Sequence, residues 1–159
     1  MHQVPNASCD RKGKTIMRIV SISISKKKGT RKNQVDSAQL VVDHGVNNDA
    51  HAGSWHRQVS FLSSENIEKA RVQGLDVTFG DFAENISTTG IDWKTIPVGK
   101  RVRLGRDAVV EITQIGKTCH NKCAIYYKAG DCIMPREGVF AKVVHEGRIE
   151  CGDTIELEG

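Results

Sequence analysis

Met17-Arg18-Ile19-Val20-Ser21-Ile22-Ser23-Ile24-Ser25 carries the first decisive pattern of the chain. Ile22 and Ile24 alternate with Ser21, Ser23 and Ser25, the period of two that a half-buried β-strand requires. Outward from it, similar short segments recur. Residues 35–43, with Leu40, Val41 and Val42, read as a strand, and Val59, Phe61 and Leu62 form another. Further strands are expected over 82–88, 101–104, 108–115, 139–144, 148–151 and 154–157. Turn signals separate them at Pro97-Val98-Gly99 and His145-Glu146-Gly147. Two helical stretches stand out. One covers roughly 65–73, capped by Ser63 or Ser64, with Glu65 and Glu68 in its first turn and Gly74 at its end. The other runs over 119–128. Many short strands and few short helices imply a mostly β fold, a closed or partly closed β-barrel.

A length of 159 residues favours one domain with a sizeable core. With 38% apolar and 26% charged residues, general disorder is excluded. No apolar run approaches the roughly 18 residues that cross a bilayer, so no membrane partner is expected. Residues 1–16 are polar and aperiodic and are expected to be a flexible tail, dispensable for folding, ahead of one domain over 17–159. The first residues lack the apolar stretch of a secretory leader, so a soluble cytoplasmic protein is expected. The net charge of +4 is unevenly placed, with nine basic side chains against one acid between residues 10 and 32. Such local basicity without a reading element argues against a nucleic-acid partner. Lys26-Lys27-Lys28 reads as a solvated turn or as a rim that attracts an anionic ligand.

The five cysteines, Cys9, Cys119, Cys123, Cys132 and Cys151, are an odd number and read as free thiols. Within Gly116-Lys117-Thr118-Cys119-His120-Asn121-Lys122-Cys123, a helix start places Cys119 and Cys123 on one face. The helix dipole, Lys117 and Lys122 then favour thiolate at Cys119, the form that attacks sulfur donors and binds soft metals. The plain alternative is that both pack as small core residues beside Ala124 and Tyr127. Cys119, Cys123 and Cys132, with His120 and His145, offer a zinc or iron–sulfur set, but a closed zinc site usually shows two short pairs and only one exists here.

A second constellation spans Asp43-His44-Gly45-Val46-Asn47-Asn48-Asp49-Ala50-His51-Ala52-Gly53-Ser54-Trp55-His56-Arg57. Its imidazoles, carboxylates and guanidinium suit a polar or anionic ligand, and Arg57 suits phosphate or carboxylate because its planar fork bonds in pairs. A plain exposed loop with Asx turns, or a three-histidine metal site, are the other readings. A third stretch, Cys132-Ile133-Met134-Pro135-Arg136-Glu137-Gly138-Val139-Phe140-Ala141, is a charged turn before a strand, with Arg136 an anion ligand or a surface partner of Glu137.

At these stretches the sequence resembles the MOSC domain family, named for the C-terminal domain of molybdenum cofactor sulfurases. The matching pieces are His44-Gly45-Val46, Asp49-Ala50-His51-Ala52-Gly53, His56-Arg57-Gln58-Val59-Ser60, Phe79-Gly80-Asp81-Phe82-Ala83-Glu84-Asn85-Ile86, Pro97-Val98-Gly99, Ile112-Thr113-Gln114 through Cys123, Cys132 through Phe140, and Gly152-Asp153-Thr154-Ile155. The resemblance runs from about Met17 to Leu157. It implies a β-rich barrel and the handling of sulfur or of the molybdenum cofactor, a molybdenum ion on a pterin dithiolene with a phosphate. The family's cysteine, a sulfur carrier or molybdenum ligand, falls on Cys119 when aligned on Ile112-Thr113-Gln114 and on Cys123 when aligned on the following helix. His44, Asp49, His51, Arg57, Lys117 and Arg136 are then the cofactor-binding set, with Cys119 the metal ligand. Some members reduce N-hydroxylated compounds with the help of a redox partner. Larger members carry a pyridoxal-phosphate cysteine desulfurase domain, which 159 residues cannot hold, so a desulfurase would be a separate partner. Three roles remain open: a molybdenum-cofactor-binding protein or enzyme, a persulfide carrier without metal, and a non-catalytic β-barrel interaction module.

Overall fold

The computed structural model describes residues 8–9, 15–116 and 132–159, with the backbone alone at Ser8 and Cys9. Its centre is the apolar hairpin that Ala108–Ile115 (β10) and Val139–His145 (β11) make across register shifts at Val109/Val110 and Ile112/Gln114. Around it the remaining strands are Ser8–Cys9 (β1), Thr15–Ile16 (β2), Arg18–Ile24 (β3), Asn33–Val35 (β4), Ser37–Val41 (β5), Gly45–Val46 (β6), Val59–Ser63 (β7), Ile86–Thr89 (β8), Arg101–Leu104 (β9), Gly147–Glu150 (β12) and Ile155–Leu157 (β13). Eight of them form one sheet in the order β13-β9-β10-β11-β7-β8-β3-β4; β12-β5-β6 form a second, and β1-β2 pair with each other. Within the large sheet only β7 and β8 run parallel, and the crossover between them carries helix α1 (Ser64–Val72). Ser63 caps that helix by accepting the Asn66 N–H at 3.1 Å, as its position before Glu65 and Ile67 leads one to expect.

The mostly β class is as expected; the closed or partly closed barrel is corrected, since no sheet of the described residues closes on itself. The ladder of the large sheet ends at β4 and β13. What joins the two ends is one isolated bridge, Arg18 to Thr154, with hydrogen bonds from Ile19 N to Asp153 O, Gly152 N to Ile19 O and Ile155 N to Met17 O. The reason lies in β3. Strand β8 takes one side of it, and β4 takes Ile22–Ile24 on the other, leaving just its first residues to meet the turn before β13.

The pattern of β3 also departs from expectation. Its serine face is buried too: Ser21 and Ser23, with Ser25 just past the strand, are buried like Ile22, while Ile24 is half-buried. The serines lie in a polar interior layer, where Asn85 Nδ2 donates to the Ser23 carbonyl and Ser25 N–H donates to Asp49. The strand expected over 35–43 breaks into β4 and β5 at the exposed Asp36, whose carbonyl accepts Cys151 N–H at 3.1 Å. The strand expected over 82–88 starts later, at Ile86, because residues 78–85 form a turn with Ala83 at φ +63°. The charged turn before β11 is a helical turn, α2 (Met134–Glu137). The helix expected over 119–128 lies outside the described residues.

Two apolar clusters result. One lies inside the curled sheet around Phe61, Trp93, Leu104, Val110 and Ile149; the other, under α1 and α2, joins Leu62, Ile67, Phe79, Phe82, Met134 and Phe140. Phe61 and Trp93 pack with ring centres 4.9 Å apart, and Trp93 Nε1 donates to Thr88 Oγ1. Such an aromatic pair contributes about 1 kcal/mol beyond its buried area.

A candidate anion site beside the loop 43–57

The short strand β6 and the turns around it hold the polar loop against the start of the basic segment. Ala50 N–H donates to the Ser25 carbonyl and Gly53 N–H to the His44 carbonyl. Inside this frame Lys32 and Asp49 make an ion pair of 2.7 Å with both side chains fully buried. The same ammonium lies 3.0 Å from Ser25 Oγ and 2.9 Å from His51 Nδ1. Asp49 Oδ1 also accepts Ser25 N–H, and Oδ2 accepts His51 N–H at 3.1 Å. Burial works against the Asp49 charge. The hydrogen bond and charge of Lys32, with Ser25 N–H and Asn85, outweigh it and hold the Asp49 carboxyl below its ordinary range. Burial likewise lowers Lys32, opposed by Asp49 and by the charge of Glu84.

Glu84 sits behind this pair with no exposure at all. It accepts Gly80 N–H at 2.9 Å, Phe82 N–H at 3.2 Å and the Ser87 hydroxyl at 2.9 Å. Burial dominates and pushes its carboxyl up to about 7, although those donors pull the other way.

Toward the surface the loop ends in a stack. Trp55 Nε1 donates to the His51 carbonyl at 2.7 Å. The guanidinium carbon of Arg57 lies 4.7 Å from the Trp55 ring centre and 5.6 Å from that of Phe140, and Lys28 Nζ is 4.8 Å from the same Trp55 ring. Aromatic faces attract these cations without using their N–H donors. Arg57 Nε is buried and meets no hydrogen-bond partner among the described residues. Leaving such a donor unmet costs on the order of 1–3 kcal/mol, which an incoming acceptor would recover. A cleft of about 560 Å³ opens next to Ser25, with Ile24 and Val35 in its floor and Lys26, Lys27 and Arg31 around it. All of Lys26, Lys27 and Lys28 are exposed, which fits either reading of that turn.

The loop is tied to the edge of the cysteine segment. His56 Nε2 meets Gln114 Oε1 at 2.9 Å, Gln114 Nε2 donates to the Gly116 carbonyl at 2.7 Å, and Thr113 Oγ1 donates to the His56 carbonyl. Gly116 N–H in turn donates to the Gly138 carbonyl beyond α2.

Of the expected site residues, the structure joins Asp49 to His51 directly and brings Arg57 to the same loop through Trp55. His44 is half-buried, and its ring makes no hydrogen bond among the described residues. Arg136 stands exposed on α2. Lys117, Cys119 and Cys123 lie outside the described residues. No three-histidine site forms in the loop: among the described residues no three His, Cys, Asp or Glu side chains gather to hold a metal ion. Cys151 is a free thiol, and burial with nearby Asp36 and Asp153 raises it. Sequence reasoning missed Lys32, Glu84 and Trp55. Lys32 looks like one more lysine of a basic turn. Glu84 had a signal, a carboxylate inside Phe82-Ala83-Glu84-Asn85-Ile86, where an exposed side chain has little room.

The MOSC domain family model matches residues 48–156. The fold is similar to that of the YuaD protein from Bacillus subtilis, with a TM-score of 0.73 at 16% identity, over 89% of this chain and 95% of that one. It is similar to YiiM from Geobacillus stearothermophilus, with a TM-score of 0.69 at 22% identity over 90% and 75%. YiiM from Escherichia coli gives 0.63 at 21% identity over 89% and 70%. No curated protein matches the sequence. No helix of the described residues is long and apolar enough to cross a membrane.

Proposed function

The chain belongs to the MOSC domain family, and on that footing we propose that it binds a phosphate-bearing molybdenum–pterin cofactor in the cytoplasm. The observation that supports this reading is Arg57, a guanidinium held by two aromatic faces with a buried Nε that meets no acceptor among the described residues. A structural arginine would be expected to bond a carboxylate or carbonyl; this one keeps a donor for a ligand oxygen. The donor set fits the cofactor in part: Arg57, His51 and Lys28 suit its phosphate and polar pterin edges, and Lys117 adds charge. The molybdenum ion needs a soft thiolate, which falls to Cys119 or to Cys123. When bound, the cofactor supplies two-electron chemistry at molybdenum, such as reduction of N-hydroxylated compounds through an external redox partner.

The test compares Arg57→Ala with Arg57→Lys after expression in a host that makes the cofactor. Arg57→Ala should retain at least tenfold less pterin, and Arg57→Lys should recover part of it, since a point charge replaces the fork. Equal retention in wild type and Arg57→Ala would contradict the assignment. Labile sulfane sulfur on Cys119, without metal or pterin in the wild type, would instead make the chain a persulfide carrier supplied by a separate pyridoxal-phosphate cysteine desulfurase.

A further inference from the structure

The buried Lys32 leads further than the ion pair alone requires. An ammonium has three N–H donors, and Lys32 Nζ has three acceptor atoms within hydrogen-bond reach: Ser25 Oγ at 3.0 Å, Asp49 Oδ1 at 2.7 Å and His51 Nδ1 at 2.9 Å. Ser25 spends its own hydroxyl proton on the Lys27 carbonyl at 2.9 Å, so its oxygen faces Lys32 with lone pairs. Asp49 Oδ2 is 3.9 Å from His51 Nδ1, too far to take a proton from it. The one alternative that keeps the same contacts is an uncharged Lys32 amine accepting a proton from His51 Nδ1. That alternative would leave Asp49, whose side chain has no exposure, as a carboxylate without its cation.

We infer that Lys32 is a positioning residue: its ammonium donates to His51 Nδ1 and fixes the neutral Nε2–H tautomer of the ring. His51 then acts neither as a base nor as a metal ligand through Nδ1. This assignment stands apart from the cofactor reading. It also gives the buried pair a task besides stability, because the lysine that satisfies Asp49 decides which ring nitrogen carries the proton.

Nitrogen-15 NMR of the cofactor-free full chain at neutral pH tests this, with His51→Gln supplying the assignment. Wild type should show a pyridine-type Nδ1 and a protonated Nε2 at His51, together with an ammonium-type signal from Lys32 protected from exchange. A protonated Nδ1, or an amine-type Lys32, would overturn the inference. In Lys32→Met/Asp49→Asn, which removes both charges of the ion pair together, the Lys32 signal disappears and the His51 Nδ1 resonance should shift from its hydrogen-bonded position; no shift would also overturn it. Because the readout needs no cofactor, failure of the tautomer and failure of the cofactor proposal are seen in different samples.

Discussion

Lys32 is the residue on which the loop depends most. Removing one member of a buried pair strands the other charge, so Lys32→Met should cost about 3–5 kcal/mol in urea unfolding, whereas Lys32→Met/Asp49→Leu should recover much of that loss. Similar losses in both variants would mean that packing, not charge, holds the segment. Glu84 makes a prediction of opposite sign to an ordinary carboxylate. Its folded value of about 7 lies above the 4.5 of an exposed glutamate. Between those two values the folded state keeps a proton that the unfolded chain releases, so stability falls as pH rises through that window. It levels off above about 7, and the drop attributable to Glu84 is at most about 3 kcal/mol. Asp49, whose value is depressed, contributes stability that is lost only below the ordinary aspartate range, well outside that window. Unfolding free energies measured from pH 4.5 to 7.5 should therefore slope downward in wild type and be flatter in Glu84→Gln. An identical slope in the variant would assign the pH dependence to other groups.

At the level of elements, the turn after α1 is what presses Glu84 against the Lys32 segment. Gly80 accepts Lys32 N–H on its carbonyl at 2.8 Å and donates its own N–H to Glu84. It has φ +88°, and a Cβ placed there would lie 2.3 Å from the Lys32 carbonyl oxygen. Gly29 has a similar φ of +71° with nothing within 4 Å of its would-be Cβ. Gly29→Ala should cost about 1 kcal/mol from backbone strain, and Gly80→Ala clearly more, above about 2 kcal/mol, from the added collision. Equal thermal shifts in the two would reject the close approach. Such contacts explain what the sequence made readable. Period-two runs and turn residues located β9 and β10 to the residue, and Ser63 announced the start of α1. Burial on the serine face of β3 was not readable, because it depends on Asn85 and Asp49, 62 and 24 residues away in the chain from the groups they bond.

For the whole molecule, local pattern gave the class but not the closure of the sheet. Whether β3 could complete a ladder with β13 depended on β4 already occupying its side, a competition between strands that no single segment encodes. The loop 43–57 stood out by composition and resemblance, whereas the lysine buried against it lay in a turn whose charge looked generic. The central claim joins that loop to a thiolate from the segment that leaves at Gly116 and returns at Cys132. It is tested most directly by molybdenum and pterin content per chain in protein purified from a cofactor-producing host, with Cys119→Ser and Cys123→Ser beside the wild type. The account predicts near-stoichiometric molybdenum and pterin in wild type, loss of molybdenum in Cys119→Ser, and retention in Cys123→Ser. Loss in Cys123→Ser alone would move the ligand to Cys123. Wild-type protein that holds neither molybdenum nor pterin would contradict the account.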